Sequence, residues 1–138
     1  GKVPLFRGEF EYEMARFVLD CAEAGISQSV HDISEGGLAL AAVEMALATR
    51  KDARRGVVLD KGFADPVTLY SETPGYLIEM SPEDWEGISA KPDFAAVVGK
   101  VTADFSVSSE SWKLELSEVL EENSTLLDRI IWREELSE

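Results

Sequence analysis

The chain has 138 residues, 45% hydrophobic and 29% charged, with 27 acidic side chains against 13 basic ones and a formal net charge of −14. That length and apolar fraction fit one domain with an ordinary core, while the acidity excludes a general nucleic-acid binder and disfavours anionic membranes. Cys21 is the single cysteine, which excludes an intrachain disulfide and a cysteine zinc site.

Along the chain, Phe10, Met14, Phe17, Val18 and Cys21 recur at helical spacing, and Gly25 follows as a C′ residue. The pattern predicts an amphipathic helix over roughly 9–24. Gln28 to Ile33 reads as a short strand. After Gly36-Gly37, the run Leu38 to Ala48 holds one polar side chain, so it predicts a helix buried on most of its surface. Arg50 to Arg55 is a charged loop whose basic residues suit pairing with the acidic surface.

Gly56 to Asp60 and Tyr76 to Met80 read as strands. Ser81-Pro82-Glu83-Asp84 starts a short helix: Ser at the N-cap, Pro at the first helical position, acids in the first turn. That helix is expected to end near Ala90. Phe94 to Val101 reads as a strand, and the runs Phe105–Val107 and Trp112–Leu116 as a hairpin with one wet face. Ser117 opens a C-terminal helix striped by Leu126, Leu127, Ile130 and Ile131. Trp85, Trp112 and Trp132 are scattered and read as core or edge anchors. The order predicts an α+β (α/β) domain: a mixed, mostly antiparallel sheet with helices packed on one face.

No apolar run approaches the ~20 residues that span a bilayer, and no basic-then-apolar leader opens the chain. The expectation is a soluble, cytoplasmic domain without membrane partners. Gly rather than Met stands first, so residues 1–138 are expected to form one domain of a longer chain.

One segment concentrates chemistry: His31-Asp32-Ile33-Ser34-Glu35-Gly36-Gly37-Leu38. It sets polar groups at a strand end before a helix, where α/β proteins bind ligands. The helix start offers unpaired N–H groups, and glycines let an anion approach the backbone. Ser34 can donate to a phosphate oxygen, and Asp32 can bind a metal or accept from a ribose or amine. The same residues also fit a plain helix start, with Ser34 as cap, the glycines as a tight turn and His31 as a hydrogen-bonded core residue. A second segment, Asp65-Pro66 to Gly75, places Ser71, Glu72 and Thr73 before a strand. It can line a pocket or serve as a polar turn. No nucleophile–base pair is evident, and one His excludes a multi-histidine metal site.

Together these segments resemble the C-terminal domain of the AIR-synthetase-related superfamily. His31-Asp32-Ile33-Ser34-Glu35-Gly36-Gly37-Leu38, then Glu44-Met45-Ala46, then Asp65-Pro66 and Tyr70-Ser71-Glu72 follow the family order. Within the superfamily they most resemble the large-subunit family of the phosphoribosylformylglycinamidine synthases. Glu35 replaces the family's usual Asp, and Tyr76 stands where Arg is common. The resemblance implies purine synthesis: ATP and Mg2+ convert the amide of formylglycinamide ribonucleotide to the amidine through an iminophosphate. It implies as partners an N-terminal domain of the same synthetase, a glutaminase subunit and a small accessory subunit, and it is compatible with a dimer. It also implies no catalytic residue here, since the segment is most similar to the second, non-catalytic pseudo-repeat. No tightly bound cofactor is expected on this chain alone. His31, Asp32, Ser34, Gly36 and Gly37 are then one wall of a nucleotide-phosphate cleft, with Asp32 toward the metal and Ser71, Glu72 and Thr73 as the second wall. Two alternatives stand beside it. One is a stand-alone binding or assembly module of the same fold; the other is a sister enzyme such as thiamine-phosphate kinase or the hydrogenase maturation factor.

Overall fold

The computed structural model describes residues 7–121. Helix α1 spans Gly8–Glu23, with Glu9 and Glu11 in its first turn, where the helix dipole favours acids. It ends in a Schellman turn: Gly25, at φ 70°, donates to Ala22 O, and Ile26 donates to Cys21 O. Strand β1, Ser27–Ile33, pairs antiparallel with β3, Gly75–Met80. Between them run helix α2, Gly37–Leu47, strand β2, Gly56–Leu59, a 3₁₀ turn at Lys61–Phe63 and the one-turn helix α3, Pro66–Leu69. Helix α4, Pro82–Gly87, precedes β4, Gly99–Thr102, β5, Ser106–Ser108, and β6, Lys113–Glu115.

The class is α+β with mixed, mostly antiparallel pairing. The strands divide into two sheets: the β1–β3 ribbon and a four-stranded sheet ordered β4-β2-β5-β6. Among the described strands, only β2 and β5 run parallel. Helix α2 packs against both sheets and joins them. Its alanines permit that approach: Ala42 and Ala46 are buried in one cluster with Leu59, Leu69, Val107 and Leu116. Solvent still reaches Leu40 and Glu44, so α2 is buried along one broad stripe rather than nearly all round.

The β5–β6 hairpin forms as predicted, pairing Val107 with Leu114. The expected single wet face does not form: Ser106 is buried beside Val107, and Leu114 is exposed along with Lys113 and Glu115. Ser81 caps α4 as predicted, accepting the Asp84 N–H at 3.0 Å. The helix stops at Gly87, three residues before the expected Ala90. Residues 94–98 are not strand, contrary to expectation. Phe94 is instead drawn edge-on against Phe10 and Phe17 of α1, at 5.4 and 6.2 Å between ring centroids. Only the Asp60 N–H to Val98 O bond prolongs the β2–β4 pairing in that direction.

Trp112 packs against the core cluster, in keeping with its reading as an anchor. Arg50 pairs with Asp52 at 3.2 Å, and Arg54 lies over the Phe105 ring. A helix is under way over 116–121. Leu126, Leu127, Ile130, Ile131 and Trp132 lie outside the described residues.

Candidate functional site

The N-terminus of α2 is built from glycine. Gly37 N–H donates to Ser34 O at 3.1 Å, closing a turn whose third residue is Gly36 at φ 74°, ψ 0°. A type II turn demands that conformation, and glycine adopts it without strain. Gly37 follows at φ 65°. A Cβ there would stand 2.5 Å from Leu69 O and 2.8 Å from Ser71 O. The absent side chain therefore lets the helix start press against the loop after α3.

Glu72 completes the junction, its Oε1 accepting the Gly36 N–H at 3.2 Å. The helix has no side-chain cap from Ser34: Gly36 is the N-cap residue, and the carboxylate arrives from the second segment. Beside it, the Ser71 and Thr73 hydroxyls share a hydrogen bond of 2.9 Å. The loop that carries them is held by Asp65, which caps α3 by accepting the Val67 and Thr68 N–H groups. Hydrogen bonds, first that of the Thr68 side chain, hold the Asp65 carboxyl below its ordinary 3.8.

Gly36, Gly37, Ser71, Glu72 and Thr73 thus gather at one end of α2, with Ser34 on the turn that leads into it. His31 and Asp32 lie apart from that junction. Their side chains alternate along β1. His31 reaches α2, with Nε2 3.3 Å from Glu44 Oε2 and Nδ1 2.6 Å from Asp32 O. Asp32 instead lines a shallow cleft of about 230 Å3 with Glu11 and Met14 of α1, Ile33, and Tyr76 across the ribbon. Asp32 and Tyr76 are register partners in the β1–β3 pairing.

Sequence reasoning assigned no role to Glu44 or Glu11. Glu44 lay within a quoted motif, but its meeting with His31 depends on how α2 crosses β1. Glu11 read only as the wet face of α1. Among the described residues, no three His, Cys, Asp or Glu side chains are placed to hold a metal ion.

The family described as "AIR synthase related protein, C-terminal domain" matches residues 7–110. The chain belongs to this family. AIR-synthase-related relatives include phosphoribosylformylglycinamidine synthase subunit PurL of Thermoanaerobacter sp. (strain X514), 39% identical over 89 residues, or 64% of this chain and 12% of the relative. The PurL subunit of Thermococcus sibiricus is 32% identical over 108 residues, 75% of this chain and 15% of the relative. That of Leuconostoc mesenteroides is 29% identical over 139 residues, 96% of this chain and 18% of the relative. The chain thus spans less than a fifth of the length of these relatives. The family match contains both segments that meet at the start of α2.

Proposed function

We propose that this chain is the C-terminal AIR-synthase-related domain of a phosphoribosylformylglycinamidine synthase large subunit, and that it supplies one side of a nucleotide-phosphate cleft completed by an N-terminal domain of the same polypeptide. The observation that carries the reading is the junction of Gly36 and Gly37 with residues 69–72. It joins the two segments that resemble the family motif into one surface.

In this reading the chain's residues position and screen; none of them is a nucleophile or general base. Gly36 makes the turn and Gly37 lets the start of α2 press against the loop after α3, so that the two segments present one edge to the nucleotide phosphates. Ser34, Ser71 and Thr73 offer hydroxyl donors around them. Glu72 fixes the turn. His31, tied to Glu44 and to the Asp32 carbonyl, holds β1 against α2. Asp32, set apart from the junction, would give one carboxylate to a magnesium ion only where the rest of the polypeptide brings the nucleotide to that side of β1. When bound, ATP would supply the phosphoryl group that activates the substrate amide, leaving as ADP, and Mg2+ would neutralise the phosphate charge, while the surrounding protein positions the reactants and supplies electrostatics. The remaining phosphate and metal contacts come from the rest of the polypeptide, because an acidic chain with few basic residues cannot hold a triphosphate alone. The enzyme is cytoplasmic in this reading, and its glutaminase and small accessory subunits deliver ammonia. Among the described residues, no helix is long and apolar enough to cross a membrane.

The test uses the full-length polypeptide that carries this chain, assayed for ammonia-dependent, ATP-driven conversion of formylglycinamide ribonucleotide. Asp32→Ala and Gly37→Val are each expected to raise the KM for ATP or to weaken assembly. Wild-type kinetics and stability in both variants would remove the cleft assignment.

A further inference from the structure

We infer that the apolar face of α3, with Leu40 of α2 beside it, is a docking surface for the preceding domain of the same polypeptide, and that this contact sets the edge of the glycine junction against that domain. The inference rests on the reading of this chain as a C-terminal domain. Val67 is 82% exposed, more than any other large hydrophobic side chain among the described residues, and Tyr70 is 65% exposed. Both belong to one turn of helix: Val67 lies within α3, and Tyr70 is its C-cap residue. Positions three apart share a helix face. The two side chains therefore form one patch, unlike scattered single exposures, which need no explanation.

The patch is held from behind. Asp65 caps α3, and Pro66 stands in its first turn. Leu69, two positions after Val67 and so on the opposite side of the turn, is buried in the core cluster. Gly37 presses on Leu69 O and Ser71 O. Leu40, 40% exposed, stands over Gly36, where an added Cβ would meet the Leu40 Cβ at 2.7 Å. Apolar side chains thus flank the junction on two sides. In water Val67 and Tyr70 contribute little to α3, whereas a covering domain would remove their apolar area from solvent, and Tyr is enriched in buried interface centres. The occupant follows from the chain's place in its relatives. The matched family is a C-terminal domain, and the chain spans less than a fifth of the PurL relatives. A face that borders the junction is the one the preceding domain meets when it completes the proposed cleft. A second copy is disfavoured, because two chains of net charge −14 repel each other.

The test is thiol protection in the full-length polypeptide that carries this chain. Val67→Cys and Tyr70→Cys, which leave the core untouched, are alkylated with iodoacetamide, and peptide mass spectrometry reads each site against its own rate in 8 M urea. Arg50→Cys is the reference, since the Arg50 side chain is 84% exposed beyond the other end of α2. Without nucleotide, the thiols at positions 67 and 70 are expected to react at least about tenfold more slowly than the one at position 50. Rates within about twofold of the reference at both positions would overturn the docking surface. Protection that appears only with ATP and Mg2+ would assign the patch to the nucleotide, and protection lost on dilution would assign it to a second copy; either result overturns the proposal. A benzophenone maleimide coupled at position 67 should cross-link to the part of the same polypeptide that precedes this chain, and cross-links only within this chain or to another molecule would contradict it. Failure of the cleft reading shows separately: protected thiols in a polypeptide that does not convert formylglycinamide ribonucleotide would remove the enzymatic reading and support the docking surface.

Discussion

Glu72 Oε1 accepts the backbone N–H of Gly36 at 3.2 Å, across 36 residues of chain. This bond ties the start of α2 to the loop before β3. It replaces the local cap that Ser, Thr or Asp usually provides at a helix start. Removing the acceptor should therefore act on the junction rather than on the core. Glu72→Ala is expected to lower unfolding free energy by about 0.5–1 kcal/mol. Glu72→Gln, which keeps an acceptor oxygen, should lose less than half of that. Urea-unfolding midpoints of the two variants check the order; a larger loss in Gln than in Ala would contradict the bond's role.

Two of the three left-handed glycines, Gly25 and Gly37, separate backbone strain from crowding. Both have positive φ, yet a Cβ at Gly25 meets nothing within 4 Å, whereas one at Gly37 meets Leu69 O and Ser71 O. Gly25→Ala should cost about 1 kcal/mol from conformation alone. Gly37→Ala should cost about 2–4 kcal/mol, because two backbone carbonyls must also move. Thermal unfolding of the pair measures the difference, and equal losses would show that the close approach at Gly37 is unimportant.

Asp65 makes the α3 cap sensitive to acid. Its carboxyl is held below the ordinary 3.8 by hydrogen bonds, that of the Thr68 side chain foremost. A depressed folded-state value means that the unfolded chain binds the proton first. The contribution is therefore complete above the unfolded value and fades as pH falls through the folded one. Asp65→Asn keeps a capping oxygen that does not titrate. The stability gap between wild type and Asp65→Asn should stay constant from pH 7 to about pH 5 and shift against wild type below about pH 4. A gap identical at pH 3 and pH 7 would contradict the cap's ionic character.

Cys21 should be chemically quiet in the folded chain. It is 3% exposed, and burial together with the neighbouring Asp20 raises its thiol above 9.0. Alkylation by iodoacetamide at pH 8 should be slower than in 8 M urea by at least about tenfold. Comparable rates in the two conditions would place the thiol at the surface.

Local physics made much of this fold legible. The period of Phe10, Met14, Phe17 and Cys21 located α1, and Gly25 marked its end because a Schellman turn needs a left-handed residue. Ser81-Pro82 announced α4 through cap chemistry alone. Three features escaped because they depend on distant partners. Residues 94–98 have strand-like composition, but Phe94 gains more by meeting Phe10 and Phe17 than by continuing the sheet. Helix α3, at four residues, is too short to show a period. The division into two sheets follows from β1 pairing with β3 rather than with β2, and composition does not encode that choice.

At the candidate site, residue types were readable but grouping was not. His31 and Asp32 are neighbours in sequence, yet strand alternation sends one to α2 and the other to the cleft beside α1. Glu72 and Gly36 are far apart in sequence, yet they touch. Ser34, for which a helix cap is one of two readings of the sequence, does not cap α2: the left-handed turn makes Gly36 the cap residue, and Glu72 accepts the N–H of Gly36.

Hydrogen–deuterium exchange on the full-length polypeptide, with and without ATP and Mg2+, tests the central claim most directly. If the glycine junction is a wall of the nucleotide cleft, amides in segments 34–38 and 71–73 should become protected on nucleotide binding. Protection confined to other parts of the polypeptide, with both segments exchanging as before, would contradict it.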